Sequence, residues 1–338
     1  MASPAAVVPR SVGHKFVRKP PPFPMRLVFG LLVHGVIVPA KWLATHIPAV
    51  DRFGDRIMTL RAKRGGFDRS SFDGFTPGPQ DVFIPTFSKS GTNWMMQIAL
   101  QLIYHGQAEF EHIHELVPWP DMSRFPYAIP LAQADHWKTA AEKKRVIKTH
   151  LDWEHLPYSP ESRYICVIRD PKDVFVSSYH FVKGILGPGM PTVDTWYKVF
   201  LNERFPLGGS WVKNAASYWE ASKRPNVLIC SFKEMKQDLR GTVERVARFL
   251  DIDAAPDVID RVAEKSSFEY MKKIDHKFGM FQMLPWGAPH VTMIREGKQG
   301  ASGGLLSVEQ QRAIDERFQA RLKELGSDFP YERFCELK

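Results

Sequence analysis

Three stretches of this chain carry residues able to act on an anion. The first, "FSKSGTNW" (87–94), lies between an apolar run, "DVFIPT", and an apolar-periodic stretch, "WMMQIALQLIY". Gly91 permits close backbone approach, and the N–H groups of Gly91, Thr92 and Asn93 would point outward at a helix start, whose partial positive charge favours phosphate. Lys89 adds a full charge. The stretch is not a Walker A loop, because no G-x-x-x-x-G-K-[ST] is present. On its own it is equally a tight strand-to-helix turn with an exposed lysine. In the second stretch, "RVIKTHL", Lys148 and His150 flank Thr149 and leave one face of a strand. A histidine beside a phosphate-binding loop can serve as a general base. A lone histidine is more often structural, so the pairing is what matters. The third, "VIRDPKDVFVSSYHF", puts Arg169 at a strand end and Ser177 about two helical turns on. Arginine suits a forked grip on phosphate, and serine can add a hydroxyl. The plain alternative is a surface pair of Arg169 with Asp170 or Asp173.

These residues need strands to present them. From about residue 80, strand-like and helix-like segments alternate. Four near-continuous apolar runs read as strands: 81–87, 145–150, 163–168 and 226–232. After the first, a helix places Trp94, Met95, Ile98, Ala99, Leu102 and Ile103 on one face. Pro171 suits the first turn of another, where its missing N–H costs nothing. "KEMKQDLRGTVERVARFL" reads as one helix after the fourth strand, and "SVEQQRAIDERFQARLKELG" as a closing helix with Ser307 as N-cap, Gln310 completing a capping box and Gly326 just past its end. Apolar strands alternating with amphipathic helices indicate an α/β fold, a parallel sheet covered on both faces. Residues 275–304 have weak periodicity and many glycines, as a loop or lid does. In them Phe278, Met280, Phe281, Met283 and Trp286 either line an apolar acceptor site or pack the lid.

The chain has 338 residues, with ordinary hydrophobic and charged content; its net charge of +9 favours anionic partners. No zinc-finger spacing, heptad run or RNA-binding aromatic signature supports nucleic-acid binding. Three cysteines argue against a disulfide framework and for a reducing compartment. Cys166 and Cys230, inside strand runs, read as core residues. His112 and His114 in "EHIHE" could ligate a metal, but no third ligand stands at a telling spacing, and a polar loop near the acceptor pocket is the better reading. The basic, proline-rich N-terminus leads into Leu27–Ala40, which falls short of the roughly 20 residues that span a bilayer. A packed or lid-forming helix is preferred there over a membrane-surface anchor.

Taken in order, "SKSGTNW", "IKTHL", "RDPKDVFVSSYHF", "SSFEYMKK" and "REGKQG" make the chain similar to the cytosolic-type sulfotransferase family over roughly residues 80–312. The resemblance implies a P-loop-like three-layer fold with a central, mainly five-stranded parallel sheet flanked by helices. It implies a cytoplasmic enzyme that moves a sulfonate from 3'-phosphoadenosine 5'-phosphosulfate (PAPS) to a hydroxyl of a small, apolar molecule or lipid, without a metal. Residues 76–338 would be the sulfotransferase domain. Residues 1–75 would be a partly helical extension, a substrate lid or a peripheral membrane contact.

By the same resemblance, Lys89 would stabilise the leaving phosphate, Lys148 would hold the sulfonate, and His150 would deprotonate the acceptor. Ser90, Gly91, Thr92 and Asn93 would bind the 5'-phosphate, with Trp94 beside the adenine. Arg169 and Ser177 would bind the 3'-phosphate, and Ser177 would also restrain Lys89. Ser266, Phe268 and Phe232 would contact the adenine region, and Arg295 and Gly297 would close over the 3'-phosphate. Five positions depart from the family pattern. Ser88 replaces a proline, Phe232 a tyrosine, and Glu296 a lysine. Gly303 and Arg312 stand at charged positions of a short dimer motif, which leaves the oligomeric state open. Rival readings are a P-loop kinase or nucleotide hydrolase, which needs a Walker lysine and an acidic magnesium ligand, and a non-catalytic nucleotide-binding module.

Overall fold

Four apolar runs pair side by side as parallel strands: β1 (Asp81–Pro85), β2 (Arg145–Thr149), β3 (Arg163–Ile168) and β4 (Val227–Ser231), in the order β2–β1–β3–β4. The computed structural model describes residues 66–122, 128–203, 205–281, 287–288, 290–295 and 304–338, with a few helical positions between 28 and 43. The rest of residues 1–65, where a lid or anchor was expected, lies outside the described residues. No helix among the described residues is long and apolar enough to cross a membrane.

Alternation along the strands builds two cores. Phe83, Ile147, Tyr164 and Cys166 pack on one face with Val174 and Phe175 of α2 (Pro171–Leu186), Tyr218 of α4 (Trp211–Ala221) and Phe318 of α9 (Val308–Glu324). Val82, Ile84, Ile165, Val167 and Cys230 pack on the other with Met95 and Ile98 of α1 (Thr92–Ile103), Val246 of α6 (Leu239–Phe249) and Val262 of α7 (Pro256–Lys265). The three layers follow from period-2 side-chain placement in strands buried on both faces. All three cysteines are buried and free.

Two expectations are corrected. The sheet has four strands among the described residues, not five. The outer edge of β2 is taken by a loop: the Lys148 N–H donates to the Pro118 carbonyl, and the His150 N–H to the Asp121 carboxylate, at 3.0 and 2.8 Å. These bonds occupy donors that another strand would need. The single helix expected after β4 is two, α5 (Phe232–Gln237) and α6, broken at Asp238, whose carboxylate accepts the Gly241 N–H at 2.8 Å. Asp prefers such a cap to a helix interior.

The remaining elements are α3 (Val193–Leu201), α8 (Phe268–Lys273), α10 (Tyr331–Phe334) and an antiparallel pair, β5 (Met280–Phe281) and β6 (His290–Val291). The capping box at Ser307 and Gln310 forms as expected, and Gly326 takes a φ of 65° past α9. Of the lid aromatics, Phe278 is core: it is buried edge-on to Phe110, with centroids 6.0 Å apart. Met283, Trp286, Glu296, Gly297 and Gly303, and the side chains of Met280 and Phe281, lie outside the described residues.

The start of α2, which carries Ser177, is locked by a buried ion cluster. Lys172 meets Asp315 and Asp170, Tyr331 donates to Asp315 at 2.8 Å, and the Glu336 N–H donates to Asp170 at 2.8 Å. Removing one partner of a buried pair strands the other without solvent. Lys172→Met is expected to lower unfolding free energy by about 3–5 kcal/mol, read as a lower urea midpoint at unchanged slope. A midpoint within error of wild type would show that the cluster carries no stability.

Candidate active site

The turn after β1 begins with a strained residue. Lys89 has a φ of 70°, a left-handed backbone that costs a non-glycine residue about 1–3 kcal/mol unless neighbours hold it. Arg169, at the end of β3, does so by donating an Nη1–H to the Lys89 carbonyl at 3.2 Å. Gly91 follows at φ 109°, and a Cβ there would meet Cδ2 of Phe232 at 2.8 Å. Only glycine fits both the dihedral and the gap. The Phe232 ring in turn lies under the Arg169 guanidinium at 4.2 Å and edge-on to Trp94 at 5.4 Å. Trp94 Nε1–H donates to the Ser266 carbonyl at 2.8 Å, tying α1 to the turn before α8.

The parallel register of β1 and β2 pairs Ile84 with Lys148 and Pro85 with Thr149, so both strands end together. His150 Nδ1 lies 2.7 Å from the Thr86 carbonyl. A carbonyl only accepts, so Nδ1 carries the hydrogen and Nε2 keeps its lone pair. The ring sits between Phe67, at 4.8 Å, and Trp119, edge-on at 5.4 Å. Burial, with the neighbouring charges of Lys148 and Lys89, holds His150 well below the usual imidazole value, so it is neutral. Lys148 Nζ sits 3.3 Å from the Trp119 ring centroid. Lys89 Nζ lies 4.1 Å from the Phe181 ring centroid and 3.5 Å from Met293 Sδ. The restraint of Lys89 by Ser177 is not seen: no hydrogen bond joins them.

One cavity of about 620 Å³ collects these groups, a volume in the range of small-molecule sites. Lys89, Gly91, Thr92, Asn93 and Trp94 line it from the first turn and α1. Lys148 and His150 line it from the end of β2, and Arg169 and Ser177 from β3 and α2. Phe232, Phe268 and Arg295 complete the predicted set. Ser90 and Ser266 are buried beside the cavity without lining it. Arg169 also has its expected ion partner, Asp173, at 3.8 Å, but Asp173 is buried, Arg169 is partly so, and both residues line the cavity. Arg169 Nε, Ser90 Oγ and Ser266 Oγ are buried without a hydrogen-bond partner. Of the three, only Arg169 lines the cavity, where its guanidinium suits a polyanionic ligand.

The wall beyond the lysines was not legible as such. Phe67, Trp119, Met122, Phe181, Leu207 and Met293 give it an apolar lining from five separate segments of the chain. His112 and His114 do not form a metal pair: His112 Nε2 donates to the Gly279 carbonyl at 3.0 Å and His114 Nδ1 to the Val117 carbonyl at 2.7 Å.

The sulfotransferase domain profile matches residues 79–326. The chain belongs to the sulfotransferase family. It is similar to sulfotransferase 2A1 of Macaca fascicularis, 29% identical over 294 residues, covering 84% of this chain and 96% of that protein. Human sulfotransferase 1E1 is 30% identical over 207 residues, covering 59% of this chain and 69% of that protein. The fold is shared with retinol dehydratase solved with androsterone and the inactive cofactor PAP, at TM-score 0.63 and 20% identity, covering 79% of this chain and 87% of that one. It is also shared with mouse SULT7A1 solved with PAP, at TM-score 0.58 and 23% identity, covering 79% and 94%. The enzyme is thus a sulfotransferase.

The electrostatics of this sulfotransferase site suit an anion. Burial brings Lys89 down to about 7, with Arg169 adding to the effect and Asp275 opposing it. Burial brings Lys148 to about 7, opposed by Asp121 and reinforced by Lys89. A bound anion favours the ammonium form and raises these values, so between pH 7 and the raised values binding must take up protons. Affinity for adenosine 3',5'-bisphosphate is therefore expected to fall above pH 7, by about ten-fold per pH unit for each lysine engaged. Calorimetry in two buffers of different ionisation enthalpy checks the proton uptake. Proton release, or affinity flat from pH 7 to 9, would contradict it.

Proposed function

We propose that this enzyme transfers the sulfonate of PAPS to the hydroxyl of a small, apolar acceptor, with His150 as the general base. The observation that carries the reading is the His150 tautomer: Nδ1–H is committed to Thr86, leaving Nε2 as a neutral lone pair on a residue that lines the same cavity as Lys89 and Lys148. In the proposed step the acceptor oxygen bonds to sulfur while Nε2 takes its proton. The bond from sulfur to the bridging oxygen breaks, and adenosine 3',5'-bisphosphate leaves with a new negative charge that Lys89 neutralises. Lys148 holds the sulfonate oxygens. Charge spreads over oxygens in such a transfer, so cations and N–H donors provide most of the stabilisation. Two lysines supply that charge, and the proposed step needs no metal.

Arg169 and Arg295 would take the 3'-phosphate with Ser177. Ser90 to Asn93 would hold the 5'-phosphate, and Trp94, Phe232, Ser266 and Phe268 would surround the adenine. For the acceptor, support comes from the apolar wall at Phe67, Trp119, Met122 and Leu207, and from relatives such as the 3-alpha-hydroxysteroid sulfotransferase of Cavia porcellus. A steroid-like or isoprenoid alcohol matches that lining.

His150→Ala is expected to cut kcat by about a hundred- to ten-thousand-fold while leaving nucleotide affinity near wild type; an unchanged rate in a screen of phenols, sterols and retinoid alcohols would remove the base role. Arg169→Ala is expected to weaken adenosine 3',5'-bisphosphate by about ten-fold or more, the worth of a charge-assisted hydrogen bond, and adenosine 5'-phosphate much less. Equal losses for the two nucleotides, measured by thermal shift and calorimetry, would rule out the 3'-phosphate assignment.

A further inference from the structure

Next to Lys148, and not lining the cavity, sit two buried histidines that the reaction as proposed does not use. His114 lies in the short turn Ile113–Glu115, and Nδ1–H is spent on the Val117 carbonyl, so Nε2 bears a lone pair. That lone pair faces Lys148 Nζ at 3.4 Å. The His114 ring stacks on Trp119, with centroids 5.3 Å apart and planes 21° apart, and Lys148 sits over the same indole. His112 supports the turn: its Nε2–H donates to Gly279, and Nδ1 accepts the His114 backbone N–H at 3.3 Å. Neither histidine lines the cavity.

An ammonium on a four-carbon stem has three donors and no fixed direction. Here one N–H is aimed at a lone pair and the charge rests on an aromatic face, which together define where the remaining donors point. We propose that His114 is a positioning residue for Lys148, using its Nε2 lone pair to hold the amino group at the end of the cavity where the sulfonate would sit. The inference rests on the role proposed above for Lys148. His114 stays neutral, and hence an acceptor, because burial first, then the facing charge of Lys148, with the imidazoles of His112 and His150 alongside, hold it well below the usual imidazole value. Asp121 and Lys89 are the other charges acting on Lys148.

The test compares His114→Leu, His114→Gln and Lys148→Met in the full-length enzyme. A hydrogen bond to the charged form favours that form, so losing it lowers the lysine's affinity for its proton. His114→Leu is expected to reduce kcat by about ten-fold or more and to move the basic limb of kcat/KM for PAPS to lower pH. The affinity for adenosine 3',5'-bisphosphate, which has no sulfonate, should change by less than about two-fold on the same argument. In His114→Gln an amide oxygen can replace Nε2, so rate and limb should largely return. A folded His114→Leu enzyme with wild-type rate and limb would overturn the proposal, as would a His114→Gln enzyme impaired as much as His114→Leu. Lys148→Met at wild-type rate would instead remove the Lys148 role itself. Should His114→Leu not fold, the wild-type enzyme decides: the His114 Nε2 nitrogen resonance, assigned through His114→Gln, must move as Lys148 titrates, and a resonance indifferent to that titration refutes the contact.

Discussion

The site depends on the in-register ending of two adjacent parallel strands. Because Pro85 pairs with Thr149, the chain leaves the sheet at the same level on both, and Thr86 and His150 become neighbours although 64 residues separate them. Their hydrogen bond is local in space and wholly non-local in sequence. A slip of one residue would turn Lys148 and His150 to the other face of the sheet. The pleat that gives the two cores therefore also decides whether the base and the lysine face the nucleotide loop, and the packing of Phe83 and Ile84 on opposite faces protects the chemistry.

A second constraint is electrostatic. Lys89, Lys148, Arg169 and Arg295 all line one cavity, and the carboxylates around them are Asp173 and Asp170 beside Arg169, Asp275 and Asp121 acting on the two lysines, and Glu269 in the cavity wall. Gathering cations in a poorly solvated space is unfavourable. Here the cost appears as two lysines brought to about 7 and as buried donors without partners. The rest of the fold compensates through its two apolar cores and its capped helices. A polyanionic ligand would reverse the balance, since it would neutralise the cations. Such a site is already arranged for charge before the ligand arrives, so little reorganisation accompanies the reaction.

How much of this could be read from the chain follows from the range of each interaction. Strand runs, the N-caps at Ser307 and Pro171's place in the first turn of α2 are signals carried within a few residues, and the structure has them. Spacing within "SKSGTNW", "IKTHL" and "VIRDPKDVFVSS" is likewise local, and its residues meet at one cavity once the strand order is known. The fifth strand was an inheritance from resemblance, and the loop at Pro118 and Asp121 occupies the edge where pairing would continue. The break at Asp238 was legible in principle, since aspartate three residues before Gly241 is a capping signal; an uninterrupted apolar stripe through Leu239 and Val243 concealed it. Phe278 looked like a lid aromatic because glycines surround it, yet burial against Phe110 is set by tertiary contact. The apolar wall had no sequence signal at all: Phe67, Trp119 and Leu207 share no motif and meet only after folding.

Thr86 joins these strands of argument. Its carbonyl fixes the His150 tautomer, its N–H donates to the Thr149 carbonyl at 3.2 Å, and its hydroxyl meets the Thr92 hydroxyl at 2.5 Å in the first turn of α1. One buried residue thus touches the strand that carries His150 and the helix α1, whose first residues line the cavity. Neither contact needs a particular side chain at position 86 except the hydroxyl pair, so backbone geometry does most of the coupling. A carbonyl held by a β1–β2 ladder cannot rotate away without breaking that ladder, so the lone pair of Nε2 stays directed whether or not a nucleotide is present. On the proposed mechanism the acceptor would meet a base whose orientation was settled by folding, and binding would have only to bring the hydroxyl to it.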